Sequence, residues 1–235
     1  MAEESSILQD MQLADGERVR PYGILTLHKP ANIRDNRILS PILNTFIQIS
    51  KRMPILFPVH PEMFEWLQDK YLSDYPVDHF ICNPEPWDGR MRLRLIPQLG
   101  YVDFIRLMSE ARVVFTDSGG IQDETTMLGV PCITLEDTTE RPITLKQGTN
   151  VLAGSNPEKI IREFNRARRK RNTVNRSPRY WDGKAANRII KVLFDDFCSS
   201  RSIAAPDSGV EGDRQERSHS AAARSSHPGR FSSRL

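Results

Sequence analysis

Short apolar runs alternate with longer amphipathic stretches along most of this chain, and this alternation constrains its fold more than any other feature. Most of the runs lack the strict polar alternation of a half-exposed sheet, which is typical of strands covered on both faces. The six runs are Tyr22–Leu27, Ile55–Val59, Met91–Ile96, Val113–Thr116, Cys132–Leu135 and Asn150–Ala153. Between them, apolar residues spaced three and four apart predict helices over Asn36–Lys51, Pro61–Leu72 and Tyr101–Glu110. The sequence therefore predicts an α/β fold, with helices on both faces of a parallel sheet.

The composition gives no sign of nucleic-acid or metal binding. The 235 residues include 33 basic and 30 acidic ones, and a net charge of +3 provides no basic footprint for a nucleic acid. The basic run Arg166–Arg171 ends an amphipathic stretch that starts near Pro157, and it lacks the interleaved aromatic residues that stack on bases. The cysteines stand far apart, without the spacing of a metal site or a disulfide framework. We therefore expect no nucleic-acid partner, no metal and no cofactor.

The two ends of the chain differ from its middle. Met1–Asp15 is acidic and polar, and no apolar run approaches the roughly 18 residues that cross a membrane, so we expect a cytoplasmic protein without membrane contact. Residues 1–20 are interpreted as a linker or N-terminal remnant. Residues 21–197 form the main domain, which ends in a helix predicted over Lys184–Phe197. Residues 198–235 are rich in serine and arginine and lack apolar periodicity, which is typical of a disordered tail.

The stretch VVFTDSGGIQDE carries the strongest indication of ligand binding. An apolar strand leads into Ser118, Gly119 and Gly120, and a helix is predicted from Ile121. Adjacent glycines let the backbone approach a ligand, and the N–H groups at a helix start favour an anion, so this loop suits a phosphate. Glu124 is itself anionic and suits a ribose diol instead. The alternative is an ordinary strand-to-helix turn followed by a solvated first-turn carboxylate.

Three further segments place polar side chains after predicted strands, where the loops of a parallel sheet meet at one edge. His28 and Lys29 follow the first strand; the imidazole could bind a phosphate or act as an acid or base, and the ammonium supplies charge. His60 follows the second strand, although it could simply cap the helix that comes next. Arg141 could bind a phosphate with its guanidinium, whereas Thr138–Glu140 before it is more typical of a helix start.

Five segments follow one another in a distinctive order, namely TLHKPAN, FPVHP, LIPQLGYVDFIRLM, TDSGGIQDE and TTERPITLKQGTN. In this order they resemble the motifs of the non-hydrolysing UDP-N-acetylglucosamine 2-epimerases, over residues 13–197. The combination of Ser-Gly-Gly-x-Gln with Thr-Thr-Glu-Arg-Pro makes the resemblance specific. It implies the fold of the C-terminal half of a two-domain enzyme of the GT-B type, in which each half is Rossmann-like.

The resemblance also implies an activity and a role for individual residues. Members of the family invert C2 of UDP-GlcNAc to give UDP-ManNAc, through elimination of UDP and its re-addition. Ser118–Gly120 would hold the pyrophosphate of the substrate and Glu124 its ribose, with Arg141 on the phosphate side. His28 would lie by the phosphates near the reacting centre, as the catalytic residue of this half. His60 would approach a second, regulatory nucleotide-sugar site.

This sequence departs from the family in ways that bear on activity. Before Leu25 it shows no counterpart of the Gly-Thr-Arg-Pro-Glu loop and the catalytic carboxylates that the family carries in its N-terminal half. Lys29 stands where the family has arginine, so it would bind the substrate phosphates without a bidentate contact, and Ala31 replaces a glutamate near His28. The resemblance therefore implies an epimerase half that is inactive unless another chain supplies the N-terminal half.

Two other interpretations stay open at this point. The chain could be a non-catalytic module that binds UDP or a nucleotide-sugar. It could also be the C-terminal domain of a hydrolysing epimerase or of a GT-B glycosyltransferase, although the Thr-Thr-Glu-Arg-Pro segment disfavours the glycosyltransferase. Because the face that docks on the N-terminal half would be uncovered, we also expect the chain to form a homo-oligomer.

Overall fold

The computed structural model describes residues 5–67, 69, 93–169 and 177–202. Its helices and strands are, in chain order, α1 (Ile7–Asp10), β1 (Ala14–Asp15), β2 (Arg18–Val19), β3 (Gly23–Thr26), α2 (Pro30–Arg34), α3 (Asn36–Ser50), β4 (Ile55–Val59), α4 (Pro61–Leu67), β5 (Leu93–Pro97), α5 (Tyr101–Ser109), β6 (Val113–Thr116), α6 (Gly119–Leu128), β7 (Cys132–Thr134), α7 (Pro142–Lys146), β8 (Asn150–Leu152), α8 (Pro157–Arg169) and α9 (Ala185–Ser202). Three predictions lie partly outside the described residues: the tail from 203 onward, the first residues of the strand at 91–92, and the helix end at 70–72.

The main sheet contains the six predicted strands, all parallel, in the spatial order β5-β4-β3-β6-β7-β8. The chain therefore starts in the middle of the sheet at β3, moves outward to β5, and then crosses back to β6 on the other side of β3. This confirms the predicted α/β fold and gives the Rossmann-type strand order. In such sheets, ligands bind outside the carboxyl ends of the strands, at the point where the winding reverses. Here that point lies between β3 and β6.

Helices cover both faces of this sheet, as the apolar runs predict. On one face, Phe46 of α3 and Phe164 of α8 pack on Phe115 of β6, and the rings of Phe46 and Phe115 meet edge to face with centroids 4.8 Å apart. On the other face, Met108 of α5 is buried in one cluster with Val114 of β6. Successive residues of β6 thus point to opposite faces, and both faces are apolar because both are covered.

The segment before β3 contributes to the second of these clusters. Ile7 and Leu8 of α1, together with Leu13, are buried among the side chains of that face. After α1, β1 and β2 pair antiparallel and lead the chain into β3. Apolar side chains from the segment interpreted as a linker are therefore part of the core.

Residues from Ala186 onward form a separate compact unit, of which the structure describes α9. This helix continues to Ser202, beyond the end predicted at Phe197. Its large apolar side chains are each more than half exposed; they are Ile189, Ile190, Val192, Leu193, Phe194 and Phe197. Among the helices described, none has the length and apolar character that crossing a membrane requires.

Two glycines fix how α6 sits against its neighbours. Gly129 has a left-handed backbone with φ of +71°, which ends α6 at the residue before it. Gly148 precedes β8, and a Cβ placed on it would lie 2.4 Å from Thr126 Oγ1 and 2.6 Å from the carbonyl oxygen of Thr144. Only a glycine fits at this contact, which holds the residues after α7 close against α6.

Candidate functional site

The ends of three neighbouring strands bring the candidate side chains to one place. In the sheet register, Thr26 of β3 pairs with Thr116 of β6, and Thr116 pairs with Thr134 of β7. The loops that follow these threonines therefore lie at the same edge, next to the reversal of winding. These loops contain the candidates His28, Lys29, Ser118, Gly119, Gly120 and Arg141.

The glycine loop is the strand-to-helix connection between β6 and α6. The helix begins at Gly119, two residues earlier than the sequence indicates, and Ser118 before it is extended with φ of −99° and ψ of 128°. The hydroxyl of Ser118 makes no capping hydrogen bond to the helix, and its backbone N–H donates to Thr116 Oγ1 at 3.0 Å. An α-helix leaves its first N–H groups, here from Gly119 to Ile121, without an intrahelical acceptor. The loop thus leaves backbone N–H groups available for an anion, and the Ser118 hydroxyl does not cap the helix.

The side chain of Arg141 lies across this loop. A Cβ placed on Gly119 would be 3.6 Å from Arg141 Nε and 3.7 Å from Arg141 Cγ. Arg141 Nε also lies 3.1 Å from Asp123 Oδ2, and half of the Arg141 side chain is exposed. Burial raises the pKa of Asp123, and the positive charge of Arg141 opposes part of that rise. The glycine loop and the guanidinium are therefore neighbours in space, as a shared phosphate ligand requires.

A hydrogen-bond network around the buried Gln122 holds the Arg141 loop in this position. Gln122 of α6 is buried, and its Oε1 accepts from Thr139 Oγ1 at 2.5 Å and from Asn150 Nδ2 at 3.1 Å. The same Thr139 hydroxyl accepts from the backbone N–H of Arg141 at 2.9 Å. A helix does start here, as α7 at Pro142, but its N-cap residue is Arg141 and no side chain caps it. The Thr139 hydroxyl thus stabilises the loop that carries Arg141 and does not cap α7.

His28 and Lys29 stand beside the glycine loop because Asp117 holds their backbone. Asp117 Oδ1 accepts from the His28 N–H and Asp117 Oδ2 from the Lys29 N–H, both at 2.9 Å. The imidazole of His28 is 56% exposed, with Nδ1 3.9 Å from Asp117 Oδ1. Lys29 Nζ donates to Glu136 Oε1 at 2.5 Å, and this hydrogen bond raises the pKa of Lys29. Part of the charge of Lys29 is therefore neutralised by a carboxylate from the loop after β7.

Glu124 lies further along α6, next to Tyr101, the first residue of α5. Burial raises the pKa of Glu124, and a hydrogen bond from Tyr101 lowers it in part. The charge of Glu124 in turn raises the pKa of Tyr101, whose side chain is largely exposed. A half-buried carboxylate of this kind can accept hydrogen bonds from the hydroxyls of a diol.

His60 follows a strand that does not border β6 in the described sheet. It follows β4, which is the neighbour of β3 on the side away from β6. Its carbonyl accepts from the Phe64 N–H at 2.9 Å, and its side chain is exposed. The role assigned to His60 stays a prediction. Within the described part of the chain, no cluster of three His, Cys, Asp or Glu side chains could hold a metal ion.

Asp117 and Gln122, which position the others, are not among the site residues that the sequence predicts. Both carried a recognisable signal. Asp117 is a carboxylate placed directly after an apolar strand, and Gln122 lies between Ile121 and Thr125, which share the buried side of α6 with it. A buried polar side chain needs a hydrogen-bond partner, so residues of this kind point to a built contact even where the partner is unknown.

The strand order, the reversal between β3 and β6, and the glycine loop together define a Rossmann-like α/β domain with a glycine loop and a helix N-terminus at its switch point. The model of one family, UDP-N-acetylglucosamine 2-epimerase, matches residues 2–194. The chain belongs to this family, as the resemblance of its motifs implies.

Comparison with individual relatives shows what share of their length this chain covers. The UDP-N-acetylglucosamine 2-epimerase of Methanococcus maripaludis is 33% identical over 180 residues, which cover 74% of this chain and 44% of the relative. The crystal structure of the Methanocaldococcus jannaschii UDP-GlcNAc 2-epimerase in complex with UDP-GlcNAc and UDP matches with a TM-score of 0.63 and 30% identity, over 83% of this chain and 50% of that one. The Neisseria meningitidis enzyme bound to UDP-GlcNAc matches with a TM-score of 0.60 and 26% identity, over 81% of this chain and 48% of that one. The chain spans about half the length of these relatives.

Proposed function

We propose that this chain is the nucleotide-binding half of a UDP-N-acetylglucosamine 2-epimerase and binds UDP or a UDP-sugar at the carboxyl edge of its sheet. One observation carries the proposal: Arg141 Nε lies 3.6 Å from where a Cβ of Gly119, the first residue of α6, would be, next to the switch point. Backbone N–H groups, a helix dipole and a guanidinium fork around one small volume match the oxygens of a diphosphate.

Five of the candidate residues have a place in this binding mode. The N–H groups of Gly119 and Gly120 and the hydroxyl of Ser118 would bind the pyrophosphate, with Arg141 on its outer side. Glu124, a few residues further along α6, would accept from the ribose hydroxyls. The Methanocaldococcus jannaschii relative was solved with UDP-GlcNAc and UDP and the Neisseria meningitidis relative with UDP-GlcNAc, which supports this class of ligand.

The reaction proposed for the complete enzyme inverts C2 of the sugar by loss and re-addition of UDP. In this scheme the present chain holds the leaving diphosphate, and the developing negative charge on its oxygens is stabilised by the helix N-terminus and Arg141. His28 is exposed at the same edge and would exchange a proton with, or donate to, the phosphate side. Removal of the C2 proton is assigned to carboxylates of the N-terminal half of the enzyme.

Affinity for a small set of uridine compounds tests the binding proposal. We expect UDP, UDP-GlcNAc and UDP-glucose to bind the 235-residue chain with dissociation constants within about threefold of one another, because the sugar faces the other half of the enzyme. Uridine should bind at least roughly a hundredfold more weakly, since it lacks the diphosphate. Isothermal titration calorimetry measures all four. Absence of UDP binding, or uridine binding as tight as that of UDP, would contradict the proposal.

Self-association is a separate prediction about the same chain. The exposed apolar side chains of α9 are consistent with it, because contiguous apolar surface favours association. We expect light scattering to give a mass above that of one 26.9 kDa chain. A single-chain mass at every concentration would show that the homo-oligomer prediction is wrong.

A further inference from the structure

Asp117 is a carboxylate buried within the candidate anion site. The residue is fully buried, and it directly precedes Ser118 of the glycine loop. A buried carboxylate is costly unless its oxygens receive hydrogen bonds, and its negative charge opposes a phosphate bound nearby. A residue of this type therefore needs a compensating role in the site.

Three N–H donors surround this carboxylate, and all of them come from the segment after β3. The backbone N–H groups of His28 and Lys29 donate to its two oxygens at 2.9 Å each, and Asn32 Nδ2 donates at 3.0 Å. The chain separation is between 85 and 89 residues, so these bonds join two loops that only the sheet brings together. An ionised carboxylate accepts at both oxygens, which an amide side chain cannot do.

The strand ends beneath Asp117 are joined in the same way. Thr26 Oγ1 donates to Thr116 Oγ1 at 2.8 Å, and the Ser118 N–H donates to the same Thr116 oxygen at 3.0 Å. The loops after β3 and β6 are thus connected from the last strand residue up to the start of α6. A movement of one loop would break hydrogen bonds to the other.

We propose that Asp117 is a positioning residue whose carboxylate holds the backbone of His28 and Lys29 beside the glycine loop. From there both side chains can reach a bound phosphate, Lys29 by exchanging its contact with Glu136. The inference rests on the proposed function, because it concerns the same ligand. Asp117 acts on the ligand through His28 and Lys29, and its own charge is compensated by the three N–H donors.

Asp117→Asn is the variant that separates this role from general stability. The amide keeps the size of the side chain but offers one acceptor oxygen, so one backbone N–H loses its partner. We expect the dissociation constant for UDP to rise roughly tenfold. Asp35→Asn serves as the matched control, because Asp35 also accepts from a backbone N–H, that of Arg37 at 2.9 Å, but at the start of α3. This control should bind UDP as the unmodified chain does.

A double-mutant cycle tests whether Asp117 acts through the two side chains. In a chain that already carries His28→Ala and Lys29→Ala, adding Asp117→Asn should change UDP affinity by less than about twofold, because the groups it positions are gone. A tenfold loss of UDP affinity from Asp117→Asn in that background would overturn the proposal. So would an Asp117→Asn single variant that binds UDP with unchanged affinity.

Backbone NMR of the unmodified chain keeps the proposal testable if Asp117→Asn does not fold. The amide protons of His28 and Lys29 should resonate downfield, as expected for N–H groups bonded to a carboxylate, and both should shift when UDP is added. Amides that do not respond to bound UDP would overturn the positioning role while leaving UDP binding intact. An unmodified chain that does not bind UDP at all would instead remove the proposed function itself.

Discussion

Gly119→Asp is expected to abolish the rise in melting temperature that UDP produces in this chain. A side chain at this position would point at Arg141, whose Nε lies 3.6 Å from the site of the new Cβ. An aspartate there would pair with the guanidinium and place a carboxylate where the diphosphate binds. The carboxylate would repel the diphosphate, and the diphosphate would also lose its contact with Arg141. At UDP concentrations of about 100 times the dissociation constant, ligand binding contributes about 2.7 kcal/mol to stability, and this contribution should vanish.

The melting temperature of Gly119→Asp without UDP shows whether the substitution itself destabilises the chain. An aspartate in the first turn of a helix interacts favourably with the helix dipole, so the unliganded variant should melt no lower than the unmodified chain. Gly119→Ala is the matched control, because its Cβ makes only an ordinary contact at 3.6 Å and adds no charge. We expect it to keep most of the UDP-dependent shift in a thermal melt. A shift in Gly119→Asp equal to that of the unmodified chain would show that the loop is not the diphosphate site.

The second large effect concerns turnover. The 235-residue chain by itself is expected to form no UDP-ManNAc from UDP-GlcNAc and to incorporate no deuterium at C2 in heavy water. Positioned acids and bases each contribute roughly 10²–10⁴-fold to such proton transfers, and the proposal assigns the groups that move the C2 proton to the half of the enzyme not represented in this chain. NMR of the substrate C2 proton and separation of the two UDP-sugars measure both outcomes.

Supplying the other half provides the positive control. Co-expression with the residues of the Methanocaldococcus jannaschii relative that lie outside the matched region should restore turnover if the two halves assemble. The restored activity should then disappear with Gly119→Asp in the present chain, which ties it to this glycine loop. Deuterium incorporation by the chain alone would show that its own residues suffice and that the assignment of proton transfer is wrong.

Much of the fold follows from local patterns in the sequence. The runs at Val113–Thr116 and Ile55–Val59 form strands over the same residues as predicted, because continuous apolar side chains indicate a strand covered on both faces. The glycine loop was located correctly because glycine pairs after an apolar run mark a strand-to-helix turn. The start of α6 differed by two residues, since Gly119 and Gly120 adopt helical geometry that glycine's low helix propensity does not predict.

Contacts between distant loops could not be predicted in the same way. Lys29 and Glu136 are 107 residues apart and meet only because β7 lies two strands from β3 in the sheet. The network of Gln122, Thr139 and Asn150 similarly joins α6 to the loop after β7 and to β8. The spacing of residues along the sequence does not predict such pairs, because each pair depends on which strands are neighbours in the sheet.

The sequence by itself determined the α/β class, the order of strands and helices along the chain, and the family to which the chain belongs. These follow from periodicity and from motifs, which are properties of neighbouring residues. Only the tertiary structure decided that β6 lies beside β3, that Arg141 lies over Gly119, and that Asp117 ties the two loops together. Strand order is set by the packing of helices on both faces of the whole sheet, and side chains from remote loops come within hydrogen-bonding distance only after that packing is complete.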